Sequence, residues 1–179
     1  MRKKSMDELQ RKTVAEFQNA EKVPIVIVLD NVRSMHNVGS VFRIADAFLI
    51  SSIYLCGYTP VPPHREINKT ALGATETVAW KYFATTAEAI DDLQYQGFEI
   101  WAVEQTHDSL MLNEIDWPGD EKIALIFGNE VSGVEDSILS RCKGSIEIPQ
   151  AGMKHSLNIS VAAGIVCWEF LRSTINVKR

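Results

Sequence analysis

The sequence lacks the features of membrane, secreted and disulfide-stabilised proteins. Its three cysteines, Cys56, Cys142 and Cys167, form no CxxC pair and lie among apolar neighbours. Isolated cysteines of this kind are typical of buried free thiols in a reducing compartment. No apolar run is long enough to span a bilayer, and the charged N-terminus, MRKKSMDELQRK, does not resemble a secretory signal. We therefore expect a cytoplasmic protein without a membrane segment.

The chain also lacks the motifs of the common nucleotide-binding and metal-dependent enzymes. Gly128 and Gly133 have the separation of P-loop glycines, but Val134-Glu135 follows where lysine and serine or threonine are required. No GxGxxG follows the first predicted strand, which argues against the usual dinucleotide-binding fold. No GxSxG motif is present, which argues against a serine hydrolase. No metal-ligand spacing connects the four histidines, His36, His64, His107 and His155, so we expect no metal.

Charge is distributed unevenly along a chain whose net charge is −5. Residues 86–140 hold thirteen acidic residues and one lysine, a net −12, whereas the first twelve residues carry +3 and residues 141–179 carry +4. The acidic total argues against a generally basic nucleic-acid binder, but the basic ends leave one face able to meet phosphates. A solvated asymmetry without any partner is the alternative that charge alone leaves open.

Apolar strands alternate with helices, a pattern that predicts a parallel α/β sheet covered on both faces. The predicted strands are residues 25–30, 52–56, 78–83, 98–103, 123–127 and 146–148. The predicted helices are residues 38–49, 87–95, 134–141 and a long apolar helix from about Ser156.

Two further segments complete the prediction. Residues 5–19 are expected to form an amphipathic helix with a Ser5–Glu8 capping box, so that residues 1–22 are a basic helical arm and residues 23–179 the main domain. Residues 57–77 are predicted to be a long polar connection with a turn near Gly73, because three prolines exclude helix from its first part.

Three loops at predicted strand ends carry polar residues and glycines: 103–105, 128–133 and 150–155. In parallel sheets, ligands bind beyond the carboxyl ends of strands, so we expect a site built from these loops. Polar residues from Ser156 to Ser160 begin the last predicted helix. They can hold a ligand with free backbone N–H groups or simply cap the helix, and the sequence leaves both alternatives open.

Three segments in order resemble the motifs of SpoU/TrmH-type RNA 2′-O-ribose methyltransferases of the SPOUT superfamily. The segments are NVGSVFR at 37–43, LIFGNEVSG at 125–133, and IP at 148–149 with SLNIS at 156–160. The third is the most specific, and GATE at 73–76 also looks like a short segment common in the family. The resemblance runs from about Pro24 to Phe170 and so covers nearly the whole chain.

The resemblance implies transfer of a methyl group from S-adenosylmethionine to a ribose 2′-hydroxyl in tRNA or rRNA, without a metal. It implies a parallel-sheet SPOUT (α/β knot) fold with a C-terminal trefoil knot, and a homodimer whose sites form at the subunit interface. The implied cofactor-binding residues are Val103, Gly128, Ile148, Ser156 and Leu157. The implied catalytic residues are Asn37, Arg43, Glu130, Ser156 and Asn158, with Arg43 at the ribose hydroxyl or the adjacent phosphate.

Two alternatives keep the same motifs: a catalytically idle RNA-binding or ribosome-assembly factor, and an enzyme that methylates something other than RNA. Retention of the whole catalytic set favours an active RNA enzyme. The chain departs from the family pattern at Gln150, where methionine is frequent, which makes that wall of the site more polar. Many relatives carry a separate RNA-binding domain, so the basic N-terminal helix is the candidate RNA contact here.

Overall fold

The computed structural model describes residues 1–5, 8 and 12–177, and side chains as far as Arg172. Within this part of the chain, seven strands form one sheet in which every pairing is parallel. The strands are β1 (Val23–Asp30), β2 (Ile50–Cys56), β3 (Trp80–Phe83), β4 (Glu99–Val103), β5 (Leu110–Met111), β6 (Ile123–Phe127) and β7 (Gly144–Glu147). Their order is β3-β2-β1-β6-β4-β7-β5, which confirms the predicted parallel α/β sheet.

Helices cover both faces of this sheet. They are α1 (Val14–Asn19), α2 (Met35–Ala47), α3 (Arg65–Ala71), α4 (Ala74–Thr77), α5 (Thr86–Tyr95), α6 (Asp136–Leu139) and α7 (Ile159–Val177). A short 3-10 helix at Leu112–Glu114 follows β5. Neither β5 nor this 3-10 helix was predicted, because the polar segment between β4 and β6 has no strand-like alternation.

The central strand β1 shows why the sheet is buried on both faces. Successive side chains of a strand point to opposite faces. Ile25, Ile27 and Leu29 accordingly belong to the core cluster that contains residues of α2 and α7, whereas Val26 and Val28 belong to the cluster that contains residues of α5. All five side chains are at most 1% exposed, which confirms the strand predicted from the IVIVLD run.

Helix α2 begins at Met35 and not at Val38, so the predicted start of this helix was three residues late. The reason is a side-chain cap: the Ser34 hydroxyl accepts a hydrogen bond from the Asn37 N–H at 3.2 Å. Asn37 therefore lies in the first turn of a helix and is 8% exposed.

The prediction of a continuous polar connection over residues 57–77 was wrong in its second half, which forms α3 and α4. Gly73, with φ of +92°, lies between the two helices and confirms the predicted turn. Helix α3 packs tightly on α2, because a Cβ at Gly39 would lie 2.1 Å from Thr70 Oγ1 and 2.2 Å from the Ile67 carbonyl oxygen. The close approach of these helices therefore requires glycine at position 39.

Helix α7 begins at Ile159, three residues later than predicted, because Asn158 ends the preceding loop. The Asn158 side-chain oxygen accepts a hydrogen bond from the Ser160 N–H at 2.9 Å, as a capping residue does. Residues 151–158 are exposed and contain no regular secondary structure. Helix α6 is also shorter than predicted, and β7 starts two residues before its predicted position.

The N-terminal prediction of one helix over residues 5–19 was wrong. Lys12 and Thr13 are not helical, and Thr13 starts α1 through its own capping box with Glu16. The expected reciprocal hydrogen bonds between Ser5 and Glu8 are present, whereas Leu9 lies outside the described residues. Phe17 is 5% exposed and belongs to the core, so α1 packs against the domain.

Strand order and register do not define how the chain threads, so the trefoil knot stays a prediction. Among the described residues, no helix is both long enough and apolar enough to cross a membrane.

Candidate functional site

Strands β6, β4 and β7 are neighbours in the sheet, and the loops that follow them meet at one edge. Together these loops enclose a cavity of about 730 Å³, which lies in the range of small-molecule sites. The three polar loops predicted to form a site therefore do come together. Strand β1 lies on the other side of β6, so the loop that leads into α2 borders the same region.

All five residues that the resemblance assigns to cofactor binding line this single cavity: Val103, Gly128, Ile148, Ser156 and Leu157. Its other apolar lining residues include Phe127, Ile146, Ile159 and Ala162. Its acidic lining residues are Glu104, Glu130, Asp136 and Glu147. An apolar wall with a few carboxylates suits a flat heterocycle attached to a hydroxylated and positively charged group.

Glu130 connects the loop after β6 to the start of α2. Its carboxylate accepts hydrogen bonds from the backbone N–H groups of Arg33 and Ser34, at 3.0 and 3.1 Å. The Asn37 side-chain amide donates a third hydrogen bond at 3.0 Å. The carboxylate thus binds the two backbone N–H groups that immediately precede α2, at the end of the helix where its dipole favours negative charge.

Burial by itself raises the pKa of Glu130, but the backbone N–H groups of Arg33 and Ser34 and the Asn37 amide lower it by more. The net pKa lies below its ordinary value, so the carboxylate is ionised at neutral pH.

Asn37 extends the hydrogen-bond chain from Glu130 to the loop before α7. Its side-chain oxygen accepts a hydrogen bond from the Asn158 amide at 3.0 Å. The Asn158 oxygen in turn accepts from both the N–H and the hydroxyl of Ser160, at 2.9 and 2.7 Å. The chain Glu130–Asn37–Asn158 therefore joins three segments that are far apart in sequence, and it brings together three of the five predicted catalytic residues.

Ser156 lines the cavity but is exposed, in the loop before α7. It lies outside the helix, so it is not the helix cap. The alternative of a merely capping role applies to Asn158 and not to Ser156.

Arg43 does not line the cavity. It follows Asn37 by six residues on α2, which places it about 240° around the helix axis, away from Glu130 and Asn158. Its side chain is exposed, and in the part of the chain that the structure describes it makes no ion pair. Asp46, three residues further along α2, accepts a hydrogen bond from Thr77, and Glu66 of α3 pairs with Lys69 and His36.

Asn129 braces the loop after β6 and was not singled out from the sequence, although it lies inside the second family segment. It is 6% exposed, and its amide donates to the Asn31 carbonyl at 2.7 Å. Its side-chain oxygen accepts from the N–H groups of Val131 and Ser132. A buried residue with every polar group used in this way holds the loop in one conformation.

Glycine is required at two positions of this loop. A Cβ at Gly128 would lie 2.2 Å from the Gly133 carbonyl carbon and 2.3 Å from the Val134 nitrogen. Gly133 has φ of +66°, and a Cβ there would lie 2.3 Å from a Glu104 carboxylate oxygen. The Glu104 carboxylate also accepts the Val134 N–H at 3.1 Å, so it closes the loop from the side of β4.

The three cysteines are free thiols, and none of them lines the cavity. Burial raises the pKa of Cys56 and Cys167 to about 12, and that of Cys142 to about 11. Across the described residues, no three His, Cys, Asp or Glu side chains come together as a metal site requires.

Comparison with known proteins supports the resemblance. A sequence model of the SpoU rRNA Methylase family matches residues 24–168. The chain is 32% identical to a 23S rRNA (guanosine-2′-O-)-methyltransferase of Vibrio parahaemolyticus, over 99% of this chain and 70% of that protein. It is 29% identical to a tRNA (guanosine(18)-2′-O)-methyltransferase of Thermus thermophilus, over 94% of this chain and 84% of that protein.

Solved structures show the same fold. A TrmH/SpoU tRNA modifying enzyme of A. aeolicus superposes with a TM-score of 0.81 at 25% identity, over 92% of this chain and 82% of that chain. An rRNA methyltransferase of Sinorhizobium meliloti, crystallised with bound AdoMet, superposes with a TM-score of 0.78 at 28% identity. The superposition covers 87% of this chain and 59% of the Sinorhizobium meliloti chain.

Proposed function

Because the chain belongs to the SpoU rRNA methylase family, we propose that it transfers a methyl group from S-adenosylmethionine to a ribose 2′-hydroxyl of tRNA or rRNA. One observation carries this proposal. The cavity that contains all five expected cofactor-binding residues is bordered by the hydrogen-bonded chain Glu130–Asn37–Asn158. A cofactor cavity beside a set of fixed polar groups is what a group-transfer enzyme needs.

The cavity fits S-adenosylmethionine in size and in chemistry. Its apolar residues, such as Val103 and Ile148, suit the adenine ring and the methionine chain, and its carboxylates complement the positive charge of the ligand. When bound, S-adenosylmethionine supplies an electrophilic methyl group on a sulfonium sulfur. Gly128 leaves the end of β6 without a side chain, so backbone groups of this loop are available to hold the ligand.

Glu130, Asn37 and Asn158 are proposed to position the reacting groups. Each of the three is held by at least one hydrogen bond from a different segment of the chain. Preorganisation of this kind lowers the free energy needed to orient the substrate in the transition state. The exposed Ser156 lies on the cavity side of this set and is proposed to contact the cofactor or the ribose.

Arg43 is proposed to act on the site of a second copy of the chain. The face of α7 opposite the core exposes Val161, Ile165 and Trp168, at 50%, 38% and 48%. Helices α7 and α2 pack together, so this apolar face lies beside the helix that carries Arg43. A homodimer that buries this face would bring Arg43 of one subunit towards the cavity of the other. There the planar guanidinium would bind the phosphate or stabilise the negative charge that develops on the 2′-oxygen.

The exposed basic residues Arg2, Lys3 and Lys4, which precede α1, remain the proposed additional RNA contact. The proposed place of action is the cytoplasm. The alternative of a catalytically idle factor has no specific support in the site, because an idle module has no need of the Glu130–Asn37–Asn158 set.

The direct test of function is to map ribose methylation in total RNA from cells with and without the gene. Loss of one or more 2′-O-methyl groups, restored by the purified protein and S-adenosylmethionine, is the expected result. Unchanged ribose methylation together with no transfer in vitro would contradict the proposal.

Arg43→Ala tests the role of the arginine. If Arg43 acts in the transition state, single-turnover methyl transfer should fall by a factor of about 10²–10³, while calorimetry shows an unchanged cofactor affinity. Arg43→Lys should not restore transfer, because a point charge cannot reproduce the two-pronged geometry of guanidinium. Near-normal transfer by Arg43→Ala would show that Arg43 is an ordinary surface residue, whose removal lowers the free energy of unfolding by at most about 0.5 kcal/mol.

A further inference from the structure

Beside the site lies an exposed aromatic ring with a cation above it. The Arg33 guanidinium carbon is 5.8 Å from the centroid of the Tyr58 ring. Tyr58 is 56% exposed, and Arg33 is exposed as well. Within the described residues, the Arg33 side chain has no carboxylate partner. We refer to these two side chains as the Tyr58–Arg33 platform.

The platform is held in place by the segment that carries Tyr58. The Tyr58 N–H donates to the Asn31 side-chain oxygen at 3.3 Å. The next residue, Thr59, is 3% exposed, donates its hydroxyl proton to the Leu29 carbonyl and accepts the Val32 N–H, both at 3.0 Å. These contacts tie the segment after β2 to the end of β1, so the ring stays exposed while its backbone is fixed.

The Tyr58 side chain and the Arg33 backbone are also bonded to the loop that lines the cavity. The Asn129 amide donates to the Tyr58 hydroxyl at 3.1 Å, and the Arg33 N–H donates to Glu130 at 3.0 Å. Asn129 and Glu130 are adjacent residues of the loop after β6. The tyrosine hydroxyl is therefore directed inward to the site, and the apolar ring is left outside.

We propose that the Tyr58–Arg33 platform binds the substrate RNA next to the reacting ribose, with a nucleobase stacked on the exposed ring and a phosphate on the guanidinium. Bases stack on tyrosine faces whatever their sequence, and arginine contributes both charge and planar stacking. The unpaired Arg33 cation complements phosphate on a chain that is acidic overall. This inference rests on the proposed RNA methyl transfer and adds two substrate-binding residues to it.

The test compares Tyr58→Ala, Tyr58→Phe and a matched control, Tyr95→Ala. Tyr95 is 93% exposed at the end of α5 and has no connection to the site. RNA affinity is measured by fluorescence anisotropy with labelled, unmodified tRNA transcripts and 23S rRNA fragments. Methyl transfer and calorimetric binding of S-adenosylhomocysteine are measured in parallel.

Tyr58→Ala should weaken RNA binding and raise the KM for RNA by roughly tenfold, with kcat and cofactor affinity near those of the wild type. Tyr58→Phe keeps the stacking surface and should bind RNA like the wild type, as should Tyr95→Ala. Arg33→Gln should reduce the slope of log affinity against log salt concentration by about one, as expected for the loss of one phosphate contact. Tyr58→Ala should leave this slope unchanged.

Failure of the platform and failure of the proposed function give different results. If the wild type methylates RNA and Tyr58→Ala has an unchanged KM and RNA affinity, the platform is refuted and the function stands. If the wild type binds RNA but transfers no methyl group, the proposed function is wrong, and the affinities of the variants still decide the platform. A wild type that binds no RNA would refute both.

Discussion

Gly128→Ala tests whether the close contact within the loop after β6 forms the cofactor site. An added Cβ would lie 2.2 Å from the Gly133 carbonyl carbon, whereas ordinary contact begins at 3.4 Å. The difference, 3.4 minus 2.2 Å, requires the loop to move by about 1.2 Å. The three nearest atoms, the Gly133 carbonyl carbon and oxygen and the Val134 nitrogen, all belong to the backbone, so no side-chain rotation can relieve the clash.

That displacement would break the two hydrogen bonds that close the loop. Asn129 and Gly133 exchange N–H···O bonds of 3.0 and 2.9 Å. Two hydrogen bonds at about 0.5–1.5 kcal/mol each give a loss of roughly 1–3 kcal/mol in the free energy of unfolding. For a chain of this size, each kcal/mol lowers Tm by about 2–4 °C. The cavity wall moves with the loop, so affinity for S-adenosylhomocysteine should fall at least roughly tenfold.

Gly152→Ala is the matched control, because it lies in the loop before α7, has no positive φ, and a Cβ there meets nothing within 4 Å. The substitution reduces the freedom of the unfolded chain in the same way as Gly128→Ala, which by itself stabilises by about 0.4–1 kcal/mol. Urea unfolding and calorimetry with S-adenosylhomocysteine measure both variants. If Gly128→Ala matches Gly152→Ala in unfolding free energy and cofactor affinity, the close packing of Gly128 against Gly133 and Val134 is not needed to form the cofactor site.

Two more predictions follow from the exposed face of α7 and from the Glu130 carboxylate. Trp168→Glu places a charge on the apolar face of α7, so it should convert a dimer into a monomer in sedimentation equilibrium. The control, Tyr95→Glu on the other side of the sheet, should leave the dimer intact. A wild type that is monomeric at high concentration would contradict a dimer interface on α7. The folded-state pKa of Glu130 lies below its ordinary value of 4.5, so its contribution to stability is present above pH 4.5 and is lost as pH falls through the lowered pKa. In urea titrations, Glu130→Gln should therefore lose less unfolding free energy than the wild type when pH is lowered below about 4.5, and equal losses would show that this carboxylate is not linked to folding.

Some elements were predictable because their cause is local in sequence. The IALIF run at β6 was placed at the correct residues, since an uninterrupted apolar run of that length is typical of a strand buried on both faces. Helix α5 was correct within a residue, because Thr85 supplies a recognisable cap. The start of α2 was predicted wrongly because Ser34 caps the helix before its apolar face begins, so the apolar periodicity starts later than the helix. The helices α3 and α4 were missed because they are only seven and four residues long and mostly polar, so they show no apolar periodicity that would indicate a helix.

The sequence by itself determined six of the seven strands in the described residues, the polar loops at the strand ends and the family segments, because each of these is marked by a local pattern of apolar, polar or glycine residues. Only the tertiary structure decided which polar groups meet. Glu130 and Asn37 are 93 residues apart and Asn37 and Asn158 are 121 apart, yet they form one hydrogen-bonded chain. They do so because the sheet places β6 directly beside β1, and α7 beside α2. The direction of Arg43, away from the cavity of its own chain, likewise depends on how α2 is rotated against the core, because its buried side contains Val38, Val41 and Phe42.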